Sequence, residues 1–273
     1  MGYVDPDAVA AREAALHRQL EVELHDATKR YAQGNVVEAE NLLEKLAVDD
    51  PDWIAPRQLL AEIHYRTGRL ADAKSQLDWL AEHGVEHPRL ALVAGAIALA
   101  RRDFATALDA LEYAGHVEPS LPSVHTLLGT VLLRLRRLDG AGQSFQKAVQ
   151  QNPSDAIAYD GLAEIHIRRK EFEDAANFAL ESLEHDMQLF VAHYHLGLAL
   201  ANLERPHEAI AALETSAGIN PRRAAPYYWL SRIAAQQLGD AVRAARYREI
   251  GREVIRRRRE SSAQTTGKPH AEL

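Results

Sequence analysis

Residues 122–155 read PSVHTLLGTVLLRLRRLDGAGQSFQKAVQQNPSD, and the alanine at 141 inside this stretch belongs to a series. Alanines stand at 39, 73, 107, 141, 175 and 209, each 34 residues after the last. A period that strict over most of a chain means stacked copies of one small unit. Each copy packs on its neighbours, so no single central core is needed.

Laid out in repeats starting at 20, 54, 88, 122, 156 and 190, the chain shows what each copy must be. The eighth position reads Ala27, Ala61, Gly95, Gly129, Ala163 and Gly197. It is always small, as expected where a neighbouring helix comes close. The repeat ends at Pro51, Pro119, Pro153 and Pro221, with Val85 and Met187 as the two departures. Proline there stops one helix and lets the next begin at an angle. The breaks Ala32-Gln33-Gly34-Asn35 and Arg66-Thr67-Gly68-Arg69 place a helix C-cap in mid-repeat. Each repeat is therefore a helix, a tight turn and a second, antiparallel helix, and the fold class is all-α.

This pattern resembles the tetratricopeptide repeat family, W-x2-L-G-x2-Y followed by A-x3-F and P. The fourth repeat carries Leu128-Gly129, Ala141, Phe145, Ala148 and Pro153; the sixth carries Leu196-Gly197, Ala209, Leu213 and Pro221. A seventh follows from 224 with Tyr227, Leu230, Ser231, Gly239 and Ala244, one residue out of frame. The resemblance covers residues 20 to about 257 and implies a right-handed superhelical α-solenoid of about seven helix-turn-helix repeats. The expected divisions are an N-terminal helix over 1–19, the array over 20–259 closed by a capping helix, and a disordered tail over 260–273. Asp5-Pro6 reads as the cap and first position of the leading helix.

The absence of cysteine excludes disulfides and thiolate metal sites. The N-terminus lacks the basic and apolar regions of a secretory signal. The apolar run Leu90 to Ala100 is too short to span a bilayer. A soluble cytoplasmic protein is the expectation. Net charge is −7, unevenly spread: residues 222–259 hold eleven arginines against three acids, while 1–221 hold 20 basic and 34 acidic side chains. The basic end reads as a solvated cap that complements its helix dipole, and nucleic acid and membrane are not expected partners.

No phosphate loop, nucleophile elbow or His-Glu-x-x-His motif is present, and the expectation is no enzyme, no cofactor and no metal. His83 and His87 flank a turn, and His193 and His195 point apart on one helix, so the thirteen histidines read as packing or surface residues. The family resemblance implies that positions 2, 5, 9, 12 and 13 of each repeat face a concave groove for a peptide or partner helix. Those positions give Tyr31, Tyr65, Asp160, Tyr194 and Tyr228, and at position 13 Arg66, Arg134, Arg168 and Asn202. Tyrosine and arginine join apolar area to directional hydrogen bonds, as interfaces favour. Against this, Glu62 and Glu164 stand four residues before Arg66 and Arg168, a spacing that pairs them on the helix for about 0.2–0.5 kcal/mol without any ligand. The lysine and asparagine clamp of some chaperone-associated members is absent at Gln58, Glu62, Leu92, Ala96, Thr126 and Thr130.

The leading functional reading is a non-enzymatic scaffold or adaptor that binds a protein or peptide segment in the groove. Two alternatives stand beside it. The runs Ala158 to Ala163 and His193 to Leu198 resemble repeat tails of bacterial phosphatase- or phosphodiesterase-type proteins, which would make the chain an accessory region of, or partner to, a larger enzyme. Self-assembly through the N-terminal helix or the basic end is the other.

Overall fold

The computed structural model describes residues 6–266, which form fourteen α-helices and, among the described residues, no strand. In order they are α1 (Pro6–Ala32), α2 (Val36–Asp49), α3 (Ile54–Arg66), α4 (Leu70–Glu82), α5 (Pro88–Ala100), α6 (Phe104–Val117) and α7 (Val124–Arg134). Then follow α8 (Leu138–Gln151), α9 (Ala156–Arg169), α10 (Phe172–His185), α11 (Phe190–Asn202), α12 (Pro206–Ile219), α13 (Ala225–Gln236) and α14 (Ala241–Thr266). The chain divides into two compact parts, residues 1–124 and 125–273. In the first, α1 packs on α2, α3 on α4 and α5 on α6; in the second, α9 packs on α10, α11 on α12 and α13 on α14.

The 34-residue frame is the packing frame. Ala39, Ala73, Ala107, Ala141, Ala175 and Ala209 are all completely buried. In the third, fourth and sixth repeats the eighth position lies against the large residue at position 24 of its own repeat. A methyl group on Gly95 would lie 2.6 Å from Leu111 Cγ, one on Gly129 2.7 Å from Phe145 Cδ1, and one on Gly197 2.6 Å from Leu213 Cγ. Those spacings are below van der Waals contact, so hydrogen is the only side chain that fits without movement. Leu43, Leu111, Phe145 and Leu213 fill the space so created and are buried, each contributing about 1.5–3 kcal/mol of transfer free energy.

The turns between paired helices repeat as strictly as the helices do. Gly34, Gly68, Arg102, Arg136, Lys170 and Glu204 are again 34 residues apart, and every one has positive φ, between 59° and 86°. The amide one residue later reaches back to a carbonyl five positions before it, as in Asn35 N to Arg30 O (2.9 Å) and Arg137 N to Leu132 O (2.9 Å). That bond satisfies a carbonyl the helix end would otherwise leave unpaired. Of these six turns only the first two use glycine, the residue that adopts this conformation freely, and the α13–α14 turn uses it again at Gly239 (φ 67°). A left-handed residue with a Cβ costs about 1–2 kcal/mol, and glycine's greater freedom in the unfolded chain returns part of it. Arg136→Gly is therefore expected to stabilise the chain by about 0.5–1 kcal/mol in urea unfolding, and Gly68→Ala to destabilise it by a similar amount.

The leading helix and the first helix of the array are one element, since α1 continues without a break from Pro6 to Ala32. Neither glycine nor proline occurs between Pro6 and Gly34 to interrupt it. The cap assigned to Asp5 lies outside the described residues. At the other end α14 runs to Thr266, so residues 260–266 are helical rather than tail. Their polarity hides any amphipathic period, but no helix breaker follows Gly251 until Gly267. Residues 267–273 lie outside the described residues.

Candidate partner groove

In the part formed by residues 1–124, the first helices of three successive repeats line one groove of about 930 Å³. Position 5 contributes Leu24, Gln58 and Leu92, position 9 contributes Thr28 and Glu62, and position 2 contributes Ala55 and Arg89. Leu59, Leu90 and Val93 add apolar wall, while Glu62, Arg66, Arg89 and Glu118 supply charges of both signs. Of the residues singled out from the sequence, Tyr65 and Arg66 line it. Tyr65 also packs against Ala73, Val93 and Ile97, and that burial raises the pKa of its phenol. Arg66 is exposed, 3.9 Å from Glu62, with its guanidinium 5.4 Å from the centre of the Tyr31 ring. Tyr31 itself packs into the cluster around Ala27, Leu43 and Ile63, and burial raises its pKa too. The structure thus brings Tyr31, Tyr65 and Arg66 together, with Tyr31 serving as a platform for the arginine.

In residues 125–273 the remaining candidates have different fates. Arg134 is exposed and has no ion-pair partner among the described residues. Arg168 is held by Glu164, its Nε 3.2 Å from the carboxylate, as the i,i+4 spacing implied. Asn202 caps its own helix by donating to the Leu198 carbonyl (2.8 Å). The hydroxyl of half-buried Tyr194 accepts a hydrogen bond from Trp229 Nε1 (3.1 Å), and Tyr228 is exposed.

Asp160 is a correction. It is buried, and its carboxylate lies 2.7 Å from Nδ1 of the equally buried His195, so it offers nothing to a partner. Burial opposes charge on His195, but the attraction of Asp160, its hydrogen bond and the nearby Glu164 together raise the imidazole pKa above its ordinary value. Sequence offered a faint signal here. Asp160–His195 and Tyr194–Trp229 are both spaced by 35 residues, position 5 of one repeat meeting position 6 of the next.

A second buried pair was also missed. His64 Nε2 lies 2.9 Å from Glu40, which Arg69 also holds, and Arg69 followed by His64 keeps the Glu40 carboxyl below the usual carboxylate range. Glu44 stands close enough to complete a set of metal-binding donors with them, as do Glu171 and Asp174 beside His166. In the first set, Arg69 already supplies Glu40 with the positive charge that an ion would bring.

The repeat is also recognised by comparison with known proteins. Tetratricopeptide repeat models match residues 30–97, 126–188 and 191–223, together more than half of the chain. A mouse (Mus musculus) protein, tetratricopeptide repeat protein 21B, is 24% identical over 214 residues, which are 75% of this chain but only 16% of that protein. The chain therefore spans about a sixth of that relative's length. Among solved structures, the fold is similar to that of a tetratricopeptide repeat protein from Parabacteroides merdae (TM-score 0.61, 16% identity, 87% of this chain and 93% of that one). It is also similar to a chain of the APC/C hetero-tetramer Cut9–Hcn1 (TM-score 0.67, 18% identity, 77% and 42%) and to MamA from Desulfovibrio magneticus (TM-score 0.53, 20% identity, 62% and 95%). The repeat frame, the buried small positions and these matches agree: the chain belongs to the tetratricopeptide repeat family.

Proposed function

We propose that the chain is a non-enzymatic interaction scaffold that holds a segment of a partner protein in the groove of α1, α3 and α5. The observation that carries this reading is the alignment of positions 2, 5 and 9 from three successive first helices along one groove. Leu24, Leu59, Leu92 and Val93 give it an apolar floor, and charges of both signs at the rim suit a peptide of mixed character. No described helix is long and apolar enough to cross a membrane.

A photo-crosslinking residue placed at Gln58 or Leu92 should capture a partner protein, whereas the same probe at exposed Ser75 on α4 should not. Arg66→Glu should weaken the captured interaction by about tenfold, the effect of reversing a charge at an interface rim where it meets an opposite one. Equal capture at all three sites, or affinity indifferent to Arg66, would count against the groove.

A further inference from the structure

The last repeat ends in a surface whose counterpart in the preceding repeat is buried. Within residues 125–273, Ala201 of α11 is covered by the following repeat; its counterpart 34 residues on, Ala235 of α13, is exposed. After the one-residue slip, Leu213 and Ala217 of α12 correspond to Arg248 and Arg252 of α14. The first pair is buried and the second exposed. Position 24 is apolar in all six preceding repeats (Leu43, Leu77, Leu111, Phe145, Ala179 and Leu213), so Arg248 breaks a consistent pattern.

The result is a cleft between α13 and α14 as a following helix would meet it. Ala235 and buried Ser231 and Gly251 leave room for close approach, and two large side chains remain in solvent, Tyr228 at 64% and Ile255 at 45% exposure. Arg232, Arg248 and Arg252 stand along it, and Arg222 and Arg259 line its continuation beside Val254. Neighbouring arginines are neutralised: Arg243 by Glu214, and Arg256 and Arg257 by Glu253. The five in the cleft have no carboxylate partner among the described residues.

A cap that served solubility alone would mix its charges and would not leave Tyr228 and Ile255 exposed. We infer that the α13–α14 face docks an acidic amphipathic helix of a partner protein. Its apolar stripe would cover Tyr228, Ala235 and Ile255, and its carboxylates would meet Arg248 and Arg252. The apolar floor distinguishes this occupant from a nucleic acid, whose phosphates would use only the arginines. This site is built from residues 125–273, whereas the groove of α1, α3 and α5 is built from residues 1–124.

Fluorescence anisotropy on the full chain tests this with three labelled probes. The first is a designed peptide of about five helical turns, leucines on one face and glutamates on its flanks. The second is a scrambled peptide of the same composition, and the third is single-stranded polyuridine RNA. The helical peptide is expected to bind best, and binding should weaken as salt rises. The R248E/R252E pair should weaken it about tenfold or more while the circular dichroism of the chain is unchanged. Ala235→Trp should block it by filling the floor. Equal or tighter binding of the scrambled peptide or the RNA overturns the inference, as does helical-peptide affinity unmoved by both variants.

Discussion

Replacing Phe145 with alanine is expected to lower the unfolding free energy of the part formed by residues 125–273 by about 3–5 kcal/mol, the cost of emptying a large buried aromatic site. Phe145 is buried at 1% exposure, with Leu133, Ala141, Ala148, Leu162 and Ile165 in its cluster. Its ring is held between two glycines on different helices, Gly129 of α7 and Gly161 of α9. Two facing backbones without side chains cannot close on the space the ring leaves, so little relaxation is available. The reverse substitution checks the same contact. A methyl group on Gly161 would overlap the far edge of the ring, so Gly161→Ala should destabilise by about 1–3 kcal/mol. Most of that penalty should disappear in the Phe145→Leu background, a coupling that a double-mutant cycle in urea measures. Additive effects would mean that the ring and Gly161 do not share this space.

The buried Asp160–His195 pair carries the second large effect. His195→Ala removes the imidazole that holds the buried Asp160 carboxylate, and the expected loss is about 3–5 kcal/mol near neutral pH. Asp160→Ala should cost less, about 1–3 kcal/mol, because an imidazole near pH 7 can shed its proton whereas the carboxylate would have to gain one. The pair also sets a pH dependence. Because the imidazole pKa is raised in the folded chain, its stabilising contribution is complete below the unfolded value of about 6.5. It is lost as pH rises through the folded value. Unfolding free energy compared between wild type and His195→Gln should therefore show a difference that shrinks as pH rises above about 6.5. A difference constant across that range would show that His195 is not charged in the folded chain.

The repeat frame was legible because it rests on residues whose size alone decides their place. Where helices nearly touch, only residues as small as Ala141 and Gly129 fit, so small residues recurring at a fixed interval already amount to a packing diagram. The groove positions were legible in part: Tyr65 and Arg66 line it, but Gln58, Leu92 and Leu24 carry as much of its wall and did not stand out by residue type. Asp160 was misread because its environment is supplied by His195, a full repeat away, and an aspartate on an inward position looks the same whether it meets solvent or a buried imidazole. The mid-repeat turns were recognised only where glycine marks them. Arg102, Arg136, Lys170 and Glu204 adopt the same conformation because the helices on either side impose it, which no residue preference announces.

The fit of Phe145 between Gly129 and Gly161 has an evolutionary and engineering consequence. Gly129 belongs to the fourth repeat and Gly161 to the fifth, whereas His195 and Trp229 stand where Gly161 does in the sixth and seventh. Copies of equal length can still be poor substitutes for one another, and a shuffled or lengthened version of this chain would have to move the fourth and fifth together. Recombination points placed between them would leave a ring facing a bulky neighbour, so the joints around that pair are the least suitable places to splice.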